Sequence, residues 1–342
     1  QAVYKDPLFF IEGQLCQLVS KVFQYQSVNL WFGTNVYGLM KYDGDTLVYF
    51  NEENGLGAGR ITGIAEDDAG NVWFGTYSGL TVYNGYAFKN FTEQDGLLNN
   101  EVWSLLIDSR GKIWIGTNEG VCTYDGEQFR TFRIPKPPVK DTNTIYSYNR
   151  IVSIVEDLKG NIWFGTDGGG AYMFNGSSFI GFTQNEGLSN NFVTSLVEDH
   201  NGHIWITTKH GLNRVAFETE NPEVTGTGEL SPRPLVHAYN RMDGLKGAEF
   251  LSNGALIDKG NRIWWGSPKG VLVLDPDHID ETDFTPVTQL TRVDINGQFM
   301  DYRREKESAS QHRRYAAQAS ARELHQVGIE LPSSKESRRG EG

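Results

Sequence analysis

Cysteine, proline and long apolar runs are all scarce in this chain of 342 residues. The two cysteines, Cys16 and Cys122, stand over a hundred positions apart. That excludes a disulfide framework and any cysteine metal-ligand spacing, and leaves two small, buried apolar residues as the expectation. Eleven prolines are too few for a collagen-like or proline-rich disordered chain. No stretch nears the ~20 apolar residues of a membrane span. Positive charge is outweighed, with 31 Lys and Arg against 43 Asp and Glu and a net charge of −12, which argues against a nucleic-acid partner. There is no Gly-x-Ser-x-Gly elbow and no nucleophile–base constellation. The chain opens on Gln1 rather than Met, as a processed chain or a fragment would.

Glycine and tryptophan are plentiful by contrast, at 39 and 8 residues. Six segments share one pattern around a Trp: Asn29–Thr34, Asn71–Thr76, Lys112–Thr117, Asn161–Thr166, His203–Thr208 and Arg262–Ser267. The Trp residues are spaced by 42, 41, 49, 42 and 59 positions. A period near 42 without any 3.6-residue apolar rhythm is the length of four short strands with their turns. Six residues before the Trp stands Asp67, Asp108, Asp157, Asp199 or Asp258, and three before it Gly70, Gly111, Gly160 or Gly202, a tight-turn chemistry. Asn261 takes the glycine place in the sixth unit. Tyr-Asp-Gly or Tyr-Asn-Gly then predicts a hairpin into a fourth strand bearing two aromatics, such as Phe88 and Phe91. A Gly-Leu pair leads into the next unit, whose first strand carries Gly63, Ser104, Ser153, Ser195 or Gly254.

Small residues on first strands suit strands that converge on a common axis. Radially repeated meanders of this kind specify an all-β β-propeller of four-stranded blades, six of them recognisable, with seven as the second choice. The propeller is expected over 1–283. Pro7–Ile11 could supply a closing strand, and 284–302 reads either as such a strand or as the start of a further domain. Residues 303–342, rich in Arg and Ala, read as a disordered or loosely helical tail. Unit five lacks the Asp-Gly turn, so 217–234 reads as an inserted loop before Leu235–Tyr239. A second insertion is expected at Ile134–Tyr148.

The unit from Gly96 to Phe132, with its Gly-Leu, Asn-x-Val-x-Ser-Leu, Asp-x-x-Gly-x-Ile-Trp-Ile-Gly-Thr, Tyr-Asp-Gly and Phe-x-x-Phe elements, closely resembles the two-component regulator propeller repeat. The resemblance covers roughly residues 14–275. It implies an extracytoplasmic, periplasmic sensor propeller of hybrid histidine kinases, and makes Gln289–Phe299 look like the opening strand of an immunoglobulin-like domain. A membrane helix, a phosphoacceptor His and ATP-binding glycine boxes are absent from this sequence, so the expectation is no enzyme activity and no cofactor.

In a propeller the second-to-third turns and the inter-blade connections share one face. Variation gathers there, at Asn35, Tyr37, Tyr77, Asn118, Glu119, Asp167, Lys209, His210 and Lys269 on the turns, and at Arg60, Asn100, Glu101, Asn149, Arg150, Asn190, Asn191 and Glu249 on the connections. Variable polar residues on a fixed scaffold suit recognition. The candidate ligand-binding set is Arg60, Tyr77, Glu101, Asn118, Arg150, Asp167 and His210. His200, His203 and His210 invite a metal reading, but His210 lies about seven residues from His203 at ~3.3 Å each, toward the opposite end of the blade. One carboxylate per turn is also too few for calcium. No metal is expected. The leading reading is a sensor for a small polar ligand such as an oligosaccharide, partnered by a histidine kinase or a second copy of the chain. A protein-interaction scaffold and a propeller lyase or glycoside-cleaving enzyme are the alternatives.

Overall fold

The Asp–Trp spacing of six proves to be a hydrogen bond. A computed structural model of the chain describes residues 19–23, 29–35, 38–57, 60–135, 149–224, 230–239, 243, 245, 249–268, 270–279, 293–295 and 298–300. The Nε1 of Trp73, Trp114, Trp163, Trp205 and Trp264 donates to Oδ2 of Asp67, Asp108, Asp157, Asp199 and Asp258, at 2.8–3.0 Å. The other oxygen of each carboxylate caps the turn. Asp157 Oδ1, for example, accepts the backbone N–H of Lys159 at 3.0 Å and of Asn161 at 2.8 Å. One side chain therefore ties a surface turn to the large ring buried beneath it. His203 belongs to the same clamp, its Nδ1 lying 3.0 Å from Asp199 Oδ2, where Asn161 and Arg262 make equivalent bonds in their units. It is a structural residue, and no group of potential metal ligands is found among the described residues.

The chain divides into two compact units, Gln1–Ile279 and Asp280–Gly342. The first is a six-bladed propeller, not a seven-bladed one. Blade one contains β1 (Val19–Phe23), β2 (Leu30–Thr34), β3 (Leu39–Tyr42) and β4 (Leu47–Phe50). Blade two contains β5 (Ile61–Glu66), β6 (Val72–Thr76), β7 (Gly79–Tyr83) and β8 (Phe88–Phe91). Blade three contains β9 (Val102–Ile107), β10 (Ile113–Thr117), β11 (Gly120–Tyr124) and β12 (Phe129–Phe132). Blade four contains β13 (Ile151–Glu156), β14 (Ile162–Thr166), β15 (Ala171–Phe174) and β16 (Phe179–Phe182). Blade five contains β17 (Val193–Glu198), β18 (Ile204–Thr208), β19 (Gly211–Val224) and β20 (Leu230–Tyr239). Blade six is described at β21 (Ala255–Ile257), β22 (Ile263–Ser267) and β23 (Gly270–Leu274). Each sheet is an antiparallel meander. The second unit is described at one hairpin, β24 (Val293–Ile295) with β25 (Gln298–Met300). Pro7–Ile11, Cys16, residues 136–148 of the expected insertion and the tail from 303 lie outside the described residues.

In blades two to five the clamped Trp faces the following blade, and the core lies between blades. Trp73, Trp114, Trp163 and Trp205 are 7% exposed or less. Trp73 packs on Tyr124, Trp114 on Phe164, Trp163 on Phe217 and Trp205 on Trp265. Cys122 is buried between blades two and three with Trp73 and Ile115, and burial pushes its thiol up to about 11. The Gly-Leu connectors also have a mechanical cause. A single helical turn capped by Asn51, Thr92 or Thr183 ends on Gly55, Gly96 or Gly187 with φ between 96° and 104°, a conformation open to glycine. The Leu that follows is buried under the connector.

One expectation is overturned. Residues 217–234 are not an inserted loop, because β19 and β20 run on past the blade, pairing Phe217 with Pro234 and Val224 with Leu230. The Pro- and Gly-rich composition hides a hairpin that is stabilised by continuation of a ladder already begun in the blade.

Lower-face turns are also clasped from blade to blade. Glu156 accepts the Ser109 N–H and hydroxyl at 2.6 and 2.7 Å, Glu198 the Leu158 N–H at 2.7 Å, and Asn261 Oδ1 the His200 N–H at 2.7 Å. Burial pushes the Glu198 carboxyl up to about 7. The Leu158 N–H opposes that shift, and the charges of Asp157 and Asp199 add to it. The folded chain thus holds this proton more tightly than the unfolded chain, whose glutamate titrates near 4.5. Stability from this group falls as pH rises from about 4.5 to about 7. Glu198→Gln keeps an acceptor for Leu158 without the charge. Its urea midpoint should exceed that of the wild type at pH 8 and converge with it near pH 4.

The clamp yields a second expectation. Asp157→Ala orphans the buried Trp163 indole, at about 1–3 kcal/mol for that donor, and uncaps the turn N–H groups of Lys159 and Asn161. Urea unfolding should show that loss, whereas Asp125→Ala, on an exposed hairpin, should show about 1 kcal/mol or less.

Candidate functional site

The upper face is built from one repeated pair of positions. In blades three, four and five the residue entering the first strand and the residue after the Thr of the second strand are latched together by backbone. Asn118 N–H donates to Glu101 O at 3.0 Å, Asp167 N–H to Arg150 O at 3.1 Å and Lys209 N–H to Phe192 O at 3.0 Å. By sequence position Arg60 and Tyr77 are the same pair in blade two. The ladder count thus brings Arg60/Tyr77, Glu101/Asn118, Arg150/Asp167 and Phe192/Lys209 to corresponding places around the axis.

Their side chains form a continuous chain across four blades. The exposed Arg60 guanidinium lies 4.2 Å from the Tyr77 ring centre. Tyr77 meets Trp103 at 5.0 Å between ring centres, tilted by 48°. The Arg150 guanidinium covers Trp103 at 4.4 Å, while its Nε donates to Asn118 Oδ1 at 2.9 Å and its Nη1 to Asp167 Oδ2 at 2.9 Å. Lys209 Nζ approaches Asp167 Oδ1 at 3.9 Å and lies 4.1 Å from the Phe192 ring centre. Cations thus stack on ring faces, where the negative quadrupole attracts them. Burial raises the Tyr77 phenol pKa, Arg60 and Arg150 counter that rise, and Glu101 adds to it.

Five of the seven sequence candidates, Arg60, Tyr77, Asn118, Arg150 and Asp167, are joined in this chain, and Glu101 stands beside it. His210 does not join. It is exposed, its N–H bonded to Thr208 Oγ1 at 3.3 Å. The place homologous to Tyr77, Asn118 and Asp167 is Lys209, the first residue of the turn after Thr208, and His210 is the next turn residue along. Tyr37 and Lys269 lie outside the described residues.

Trp103 is a member of the site that the repeat alone does not single out. In five blades the pairing of first and second strands slips by one residue at the same level, leaving Ser20, Thr62, Trp103, Val152 and Thr194 as the extra residue of a β-bulge. A bulge re-aims its side chain, and that of Trp103 meets Tyr77 and Arg150 at the mouth. Four blades have a smaller residue at the bulge and blade three a Trp. Its Nε1 is buried and has no hydrogen-bond partner among the described residues. The signal is present in the sequence: a second Trp, out of phase with the repeat, just ahead of the small residue Ser104. A cavity of about 500 Å³ opens between Leu98, Glu119, Phe132, Ile134 and Asn149, toward the outer strand β12, and Trp103 does not line it. Its Glu119 and Asn149 are the chain neighbours of Asn118 and Arg150.

Three segments, residues 55–78, 96–119 and 187–210, match the family model of the two component regulator propeller. Those three segments are two-component regulator propeller repeats by that match. Each matched segment runs from the Gly-Leu connector through the bulged first strand and the clamp to the upper-face turn. The extracellular domain of a protein assigned as a hybrid two component system from B. thetaiotaomicron has the same fold, with a TM-score of 0.52 and 21% identity over 83% of this chain and 43% of that one. A second, from a one component system of the same organism, gives 0.52 and 22% over 76% of this chain and 35% of that one. A catalytically inactive virginiamycin B lyase from Staphylococcus aureus, solved with quinupristin, gives 0.55 and 14% over 74% and 78%. At such identities the likeness is one of fold. This propeller chain spans less than half the length of either B. thetaiotaomicron domain. No curated protein matches the sequence.

Titration tests the electrostatics of the mouth. The absorbance difference between wild type and Tyr77→Phe should place the Tyr77 phenol above the ordinary tyrosine value of 10. Arg60→Ala should raise it further and Glu101→Gln should lower it.

Proposed function

We propose that this propeller is an extracytoplasmic sensor of the two-component type, binding a small polar ligand such as an oligosaccharide fragment at the upper axial mouth. The observation that carries the reading is the unbroken chain of Arg60, Tyr77, Trp103, Arg150, Asp167 and Lys209 on the positions that vary while the clamp repeats. Ring faces stack on the apolar faces of sugars, and guanidinium forks bond paired oxygens. Arg60 makes no ion pair among the described residues, so its donors are open to a ligand without a bond to break. A cavity with the volume of a small-molecule site begins at Glu119 and Asn149, one residue along the chain from Asn118 and Arg150. The relatives' naming as extracellular domains supports the compartment, and no helix among the described residues is long and apolar enough to cross a membrane. In this reading the chain passes its signal to a histidine kinase or a second copy of itself and catalyses nothing. The protruding β19–β20 hairpin favours, as a second reading, a scaffold that docks a protein.

Calorimetry of the full chain against a panel of neutral and acidic oligosaccharides tests the proposal. Arg60→Ala, Arg150→Ala and Trp103→Ala should each weaken the bound ligand by about 1–3 kcal/mol, roughly 5- to 150-fold. Binding indifferent to all three, or mapped to the Asp turns of the lower face, would replace it with the docking reading.

A further inference from the structure

The axis below the mouth contains one residue that breaks its own pattern. At the level where Gly63 stands opposite Gly75, Ser104 opposite Gly116, Ser153 opposite Gly165 and Ser195 opposite Thr207, blade one has Lys21 opposite Gly33. The small residues are needed because successive first strands nearly touch. A Cβ on Gly63 would lie 3.1 Å from that of Leu105. Ser104 Oγ donates to Ile151 O at 2.9 Å, and Ser153 Oγ accepts from Leu196 N–H at 3.2 Å, each across to the next blade.

A lysine has no such room between strands. Its ammonium instead spans the joint between first and last blades and donates to the carbonyl of Asn253. No counter-ion faces it among the described residues. Of the elements packed on β1, β2 has no ionisable residue, β5 only Glu66 at its far end, and the segment Leu251–Gly254 has none. Burial alone lowers its pKa to about 8, which still leaves it charged at neutral pH. One carbonyl occupies one of three ammonium donors, and an enclosed charge without a partner is costly. Part of the side chain remains exposed.

We propose that Lys21 is the floor of an oxyanion site in the axial channel, taking a carboxylate or phosphate group that supplies the missing counter-charge. The oxyanion is either free or the acidic group of a ligand held at the mouth above. The site stands on Lys21 and its surroundings, independently of the oligosaccharide reading.

Melting of the full chain at pH 7 in phosphate, acetate or D-glucuronate, each against sodium chloride of equal ionic strength, tests it. An anion at ten times its Kd should raise the melting temperature of the wild type by roughly 3 °C. Lys21→Met should abolish that rise while melting no lower than the wild type in chloride. Should Lys21→Met not fold, Lys21→Gln, which keeps a donor for Asn253 without charge, carries the same expectation. Arg60→Ala separates the two sources: a rise lost for glucuronate alone marks an acid borne by a mouth ligand, and a rise kept for all three marks a free oxyanion. A wild type that does not respond, variants that respond as fully as the wild type, or a rise that persists at pH 9.5, where the amine is neutral, would overturn the proposal.

Discussion

Everything in this propeller hangs on a carboxylate that serves two masters, the backbone of a turn and the indole of a Trp. In blades two to five the Asp side chain that closes the turn also accepts the indole of the Trp packed against the next blade, which couples the two. Local and long-range order therefore form together. The buried indole N–H would be costly if left alone, and the turn would be loose without its cap. Blade one packs without the clamp: Tyr25 stands six residues before Trp31, yet Trp31 is 2% exposed against Phe74 and Tyr83 of blade two, at the cost of a buried Nε1 with no partner among the described residues.

With the rings clamped on the lower face and between blades, the upper face is freed from structural duty. Its backbone is latched by entry and turn residues, but their side chains take no part in those latches. Arg, Tyr, Glu, Asn, Asp, Phe and Lys can therefore stand at corresponding places on one frame. What results in this chain is a row of cations, rings and one carboxylate that touch each other across blade boundaries. Such contacts pre-order the side chains, so less freedom remains to be lost when something docks.

The sequence is most readable where chemistry repeats at short range. Asp, Gly and Trp at fixed spacing disclose turns, strands and blade count, because each feature is settled within one unit. Reading fails where register decides. Spacing alone does not tell which of two adjacent turn residues, Lys209 or His210, meets Asp167 and Phe192. Trp103 escapes notice because a bulge is a property of two paired strands, invisible in either alone. Residues 217–234 resemble a loop because Pro222, Pro232 and Pro234 disfavour strands locally, whereas the ladder begun at Leu212 and Tyr239 carries through Pro234 to Arg233 and, after a register shift that leaves Pro222 and Pro232 unpaired, resumes at Glu223 and Ser231. The role of Lys21 also needs the pairing, since only the register shows that it occupies a small residue's place.

The bulge has a consequence for how such a molecule changes over time. A residue that sits outside the rungs of the ladder can be exchanged without removing a rung, so Thr, Val and Trp occupy it in different blades of one ring. The frame can thus vary the side chain beside the axis while keeping its rungs, but each residue still answers to its neighbours: Thr62 Oγ1 donates to the Val102 carbonyl at 2.7 Å, and Val152 and Thr194 are buried. Exchange at a bulge is limited by local packing and not by strand pairing.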